Sequence, residues 1–199
     1  MGGKVALELV KQLGGGHASL GALKQVWVLD ARPGVVEASG GVLRDVERVL
    51  RAVREVPLPV PSRQWLAEHL KQKGFTPGMT QWLGSNLTYE GKDRYTWTFN
   101  VEGAQQMFEA YCRTDYFPLL RSPPAGITIN MLRAAKSDRW DPAAVQAIKD
   151  AAASSGQSAK AYGITRFVEL PDAGHWVHVD NLKGLVDLVL PSVLEVAKS

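Results

Sequence analysis

The stretch whose reading decides the fold runs from Ile164 to Leu185, ITRFVELPDAGHWVHVDNLKGL. Its first seven residues, ITRFVEL, are rich in β-branched and aromatic side chains and read as a strand. Pro171 to His178 then form a loop, and a helix is predicted from Asn181 to Lys198, with Pro191 expected to kink it or to start a new helix. Upstream, DPAAVQAIKDAAA (141–153) reads as a helix and GITINML (126–132) as another strand. Strands alternating with helices point to an α/β architecture with a parallel sheet.

The same pattern appears at the other end of the chain. Residues 2–13, GGKVALELVKQL, carry a broad apolar helical face, and Gly14, Gly15 and Gly16 are expected to end that helix. QVWVLD (25–30) is a short apolar run closing on an aspartate, the look of a strand buried on both faces. Between 35 and 118 the character changes. Val42, Val46, Val49, Leu50 and Val53 share one helical face, and Ser62 is a plausible N-cap for the helix after it. VEGAQQMFEAYCR (101–113) is also expected to be helical, and no strong strand run interrupts the segment. The expected organisation is a core made of 1–34 and 119–199, with a mostly helical insertion at 35–118.

Composition narrows the class. The chain has 199 residues, 45% of them hydrophobic and 22% charged, ordinary values for a globular domain. No run of about 18 apolar residues exists, so no membrane span is predicted. MGGKVALELV lacks a signal-peptide layout, and the single cysteine, Cys112, fits a reducing compartment. A soluble intracellular protein is expected, of the cytoplasm or of an organelle lumen such as that of a mitochondrion or plastid. The net charge of +3 is spread over helices where acids and bases alternate, which argues against a nucleic-acid partner. Nothing calls for a cofactor.

Three places carry chemistry. His175 lies on the loop after a strand, where open α/β sheets put their sites, and its imidazole suits general-base work at neutral pH. A loop histidine bonded only to backbone would look the same. Gly174 is expected to let the chain turn tightly before it. Asp30, at the end of QVWVLD, could orient a histidine, or merely cap the turn before Pro33. Asp138, after the 126–132 strand, is a rival for that role. His175, His178 and Asp180 also allow a metal reading, because a three-residue spacing can set two imidazoles on one helical face. His17 and His69, however, fall in unrelated segments. The third place is Met1-Gly2-Gly3 ahead of an apolar helix, which has the look of residues following an exposed serine on a strand-to-helix turn.

Together these features resemble the α/β-hydrolase superfamily, and most nearly the group containing α/β-hydrolase domain-containing protein 11 and its bacterial esterase relatives. Met1 to Ala6 matches the end of the group's G-H-S-M-G-G-K elbow and the apolar helix after it. Asp30 and Pro33 match its strand-end aspartate and proline. Trp97 to Asn100 matches a W-x-x-N element of its helical cap, and Ala173 to His178 matches its A-G-H-W-x-H motif. The resemblance implies a Ser-His-Asp hydrolase acting on small acyl esters or thioesters, with His175 as base and Asp30 as acid. Many superfamily members carry the acid in a G-x-x-D element after the next strand. Here that stretch is Ala134 to Ser137, which favours Asp30 and leaves Asp138 one position late.

The resemblance also sets Met1 directly after the nucleophile, with its peptide N–H as one oxyanion donor. The serine and the strands before it are then expected upstream of these residues. On that expectation the present chain holds the C-terminal part of the sheet, about three strands with flanking helices and the cap, and is inactive by itself; turnover by it would imply a substitute nucleophile such as Ser137. The alternative is a non-catalytic interaction or regulatory module. In either case Trp65, Trp82 and Trp97 could line an acyl pocket or a partner site, or simply form the core of the insertion.

Overall fold

The structure is a computed structural model that describes residues 1–14, 23–37, 41–157 and 162–197. Gly15, Gly16 and His17 lie outside the described residues. Along the chain, α1 (Gly2–Gly14) precedes β1 (Gln25–Leu29). Then come α2 (Gly41–Arg54), α3 (Arg63–Gln72), α4 (Pro77–Ser85), β2 (Leu87–Gly91), β3 (Arg94–Trp97) and α5 (Val101–Arg113). The chain continues through α6 (Phe117–Arg121), β4 (Thr128–Ala134), α7 (Pro142–Gln157), β5 (Ile164–Leu170), α8 (Val177–Asp180) and α9 (Leu182–Ala197). Two compact units form, Met1–Val35 with Thr114–Ser199, and Val36–Arg113. Residues 114–118, read from sequence as part of the insertion, thus belong to the first unit.

The first unit is built on a parallel three-stranded sheet in the order β1-β4-β5. The register aligns Val28 with Met131 and Met131 with Phe167, so these three side chains share one face. There Leu7 and Val10 of α1 and Ala144, Ile148 and Ala151 of α7 join Ile129 and Met131 in one buried cluster. The opposite face carries Leu132, Ala134 and Leu170, which pack with Ala173, Val177 and, from α9, Leu185 and Leu188. Helices therefore cover both faces, and the central strand β4 is buried almost end to end. Each fully buried Leu or Ile contributes about 1.5–3 kcal/mol. β1 differs from the sequence expectation. Its two faces are not both covered: Val28 is buried while Leu29, on the opposite face, is exposed, and among the described residues the strand pairs on one side only.

At Gly3 helix α1 comes too close to β1 and the residue after Asp30 for any side chain. A Cβ there would lie 2.4 Å from Ala31 Cβ and 2.8 Å from Val28 Cγ1. Neither neighbour is a flexible tip that can swing away. Gly3→Ala gains up to about 1 kcal/mol of helix propensity. It also forces overpacking worth about 1–3 kcal/mol. We expect a net loss, read as a lower urea midpoint; an unchanged or raised midpoint would contradict this packing.

The second unit has its own core of Val53, Val60, Leu66, Leu70, Phe75, Leu83, Leu87 and Trp97. Ser62 caps α3 by accepting from the Trp65 N–H at 3.0 Å. Asn100 caps α5 in the same way, accepting from Gly103 N–H at 2.8 Å. The W-x-x-N element thus serves as a core tryptophan and a helix cap. Of the other two tryptophans, Trp65 packs against the core and stacks on His69, whereas Trp82 is exposed. The unit also contains an antiparallel hairpin, β2–β3, which the sequence reading lacked.

Candidate active site

Asp30 and His175 come together. Asp30 directly follows β1, and His175 lies on the loop after β5, so both stand at carboxyl ends of parallel strands. The parallel register brings those ends to one side of the sheet, although the residues are 145 positions apart. His175 Nδ1 lies 2.8 Å from Asp30 Oδ2. Asp30 is fully buried, while the histidine side chain is 37% exposed. A carboxylate can only accept, so Nδ1 carries the proton and Nε2 keeps a lone pair free to take one.

Asp30 adopts a left-handed backbone conformation (φ 47°), which aspartate tolerates better than most residues. Its N–H donates to Leu132 O at 2.7 Å, tying the turn to β4. The carboxylate accepts from Ala134 N–H (3.1 Å) and Trp140 Nε1–H (2.9 Å) on Oδ1, and from Ser137 Oγ–H (2.7 Å) on Oδ2. Burial pushes its pKa up, but the hydrogen bonds from His175, Ser137, Ala134 and Trp140 outweigh that and hold it below the ordinary carboxylate value.

The histidine loop is pinned from both sides. Lys136 N–H donates to Ala173 O (2.9 Å), and Asn181 Nδ2–H donates to Pro171 O (2.9 Å). The tight turn falls on Asp172 (φ 56°) rather than on Gly174. Gly174 serves differently. Its N–H donates to Asp180 Oδ2 at 2.8 Å, and a Cβ there would meet that same oxygen at 3.1 Å. The bare backbone therefore makes room for the carboxylate that ties the loop to α8.

The remaining expected positions lie apart from the pair. Asp138 is exposed and takes no part in the contacts around His175. His178 is an exposed residue of α8, its ring edge-on to Trp176 at 6.0 Å. Among the described residues, no group of three His, Cys, Asp or Glu is placed to hold a metal ion, and Asp180 is engaged by Gly174. Met1 is exposed at the start of α1, its carbonyl accepting from Lys4 N–H and Val5 N–H. Ser137 faces the acid of the pair, not the free nitrogen of His175. Lys4 is buried and donates through Nζ to Gly34 O and Thr114 O, both at 2.7 Å, bracing α1 against the turn after Asp30.

The alpha/beta hydrolase family model matches residues 1–188. The chain belongs to this family. As an alpha/beta hydrolase, it is similar in fold to a solved esterase from a marine microorganism, at a TM-score of 0.61 and 16% identity over 95% of this chain. It is also similar to an N-formylmaleamic acid deformylase from Pseudomonas putida S16, at a TM-score of 0.51 and 13% identity over 94% of this chain. At such identities the likeness is one of fold. The chain spans 66% and 62% of the lengths of those two hydrolases. No curated protein sequence matches it. Among the described residues of this hydrolase chain, no helix is long and apolar enough to cross a membrane.

Proposed function

We propose that this chain is the His- and Asp-bearing part of a serine-type hydrolase of small carboxylic esters or thioesters. His175 is its general base, and Asp30 is the acid that orients the imidazole. The observation that carries this reading is the 2.8 Å contact between a fully buried carboxylate and a partly exposed imidazole at the carboxyl ends of β1 and β5, on either side of β4. Family membership supports hydrolysis, and the A-G-H-W-x-H and M-G-G-K motifs support the group of α/β-hydrolase domain-containing protein 11.

In the proposed reaction a serine hydroxyl, contributed from sequence preceding Met1, gives its proton to His175 Nε2 as its oxygen attacks the carbonyl carbon. The carbonyl electrons move onto oxygen, where the Met1 peptide N–H is one proposed donor. Collapse expels the alcohol or thiol, which takes the proton from the imidazolium. Water, activated by the same nitrogen, then releases the acyl group as a carboxylic acid. Asp30 stays ionised throughout and stabilises the imidazolium.

The test is to read the coding sequence upstream of Met1 for an in-frame Gly-His-Ser, and to assay the 199-residue chain and the serine-bearing form on a short acyl nitrophenyl ester. We expect turnover only in the latter. Turnover by the shorter chain that depends on His175 would require another nucleophile. An inert longer form, together with a folded and monodisperse shorter chain, would favour a non-catalytic module.

A further inference from the structure

We propose that Trp140 and Ser137 are positioning residues that hold the Asp30 carboxylate in one orientation for His175. The inference rests on the reading given under Proposed function and deepens it. A carboxylate offers about four lone-pair sites. At Asp30 each oxygen has two donors, Ala134 N–H and Trp140 Nε1–H on Oδ1, Ser137 Oγ–H and His175 Nδ1–H on Oδ2. The acceptor capacity is filled, and the plane of the group is fixed from both ends.

Three of those four donors come from the end of β4 and the loop after it, residues 134–140. The two side-chain donors are themselves immobilised. Trp140 is 6% exposed and packs in the core cluster with Ile129, Met131 and Ala144, so its N–H has a fixed direction. Ser137 Oγ accepts from Arg139 N–H at 3.4 Å, which leaves its proton for Asp30. Asp138 lies between these two donors yet is exposed. The loop thus supplies not an acid but the scaffold for an acid borne by another strand. Losing either donor frees the carboxylate to turn about Cβ–Cγ, which opens the contact to His175 more often.

The readout is the His175 Nδ1–H proton in the NMR spectrum of the 199-residue chain, identified by its coupling to an imidazole nitrogen and its disappearance in His175→Gln. We expect this proton to exchange with solvent at least about tenfold faster in Trp140→Phe and in Ser137→Ala. That is the scale of one hydrogen bond to a charged group. Ser137→Thr, which keeps the hydroxyl, is expected to stay near the parent rate. A purely packing role for Trp140 would be largely met by phenylalanine and would not move this rate. Equal exchange rates in the parent and both folded variants overturn the inference while leaving the Asp30–His175 pair intact. Should Trp140→Phe fail to fold, the comparison of Ser137→Ala with Ser137→Thr decides. If the parent chain shows no such proton, the pair itself falls, and the proposed function with it.

Discussion

His175→Ala in the serine-bearing form should lower kcat by ~10⁵–10⁶-fold, the loss typical of removing the base from a unit of nucleophile and base. The reason lies in what replaces the imidazole. With Nδ1 bonded to a buried carboxylate, Nε2 is the only nitrogen of that ring able to take a proton. Alanine leaves a hydroxyl with no acceptor for its proton and a leaving group with no donor. KM should move little, because the imidazole acts on the transition state rather than on bound ester. His178→Ala is the matched control. That ring is exposed on α8 and touches Trp176 edge-on, so its removal should change turnover by about twofold or less. Equal losses in both variants would mean that the assignment of the base to residue 175 is wrong.

The core of the first unit was legible because its signals are local. The run GITINML and the helix after it stay close to β4 and α7, and ITRFVEL coincides with β5. Asp30 and His175 could be singled out because each ends or follows a strand, and parallel strands bring such ends together without further information. What sequence could not carry is the set of donors on Asp30. Ser137 and Trp140 lie 107 and 110 positions from it, and neither residue type announces that it will point at a carboxylate. The β2–β3 hairpin went unread for a different reason. Its two-residue turn, Lys92-Asp93, has both residues left-handed (φ 52° and 54°), a geometry that usually advertises itself through Asn-Gly or Asp-Gly. The C-terminal helix shows a third limit. The short helix α8 before it went unread, whereas α9 covers nearly the expected span with Pro191 inside it, and no new helix starts there. Proline removes one backbone donor, but both its neighbouring turns remain helical here.

Asp30→Asn should cost ~10⁴-fold in kcat in the serine-bearing form, a typical loss when an amide replaces the orienting acid. The geometry says why the fold can survive while catalysis does not. An asparagine must set its oxygen on one side and its NH₂ on the other. Ala134 N–H and Trp140 N–H can only donate, so the amide oxygen has to face them. The NH₂ then meets Ser137 and His175. The serine hydroxyl can rotate to accept. The imidazole can accept only by moving its proton from Nδ1 to Nε2, and that tautomer has no lone pair to offer the nucleophile. Asp138→Asn should change kcat by about twofold or less, as befits an exposed residue outside the pair; the reverse ranking would move the acid to residue 138. Asp30→Asn should also alter acid stability in a definite direction. Because the folded carboxyl is held below its ordinary value, its contribution is complete above that value and is lost as pH falls through the folded pKa. Asp30→Asn removes this component. Its urea midpoint should therefore lie below the parent's at neutral pH and converge on it in acid, and parallel curves would show that the carboxylate is not held as a charged acceptor.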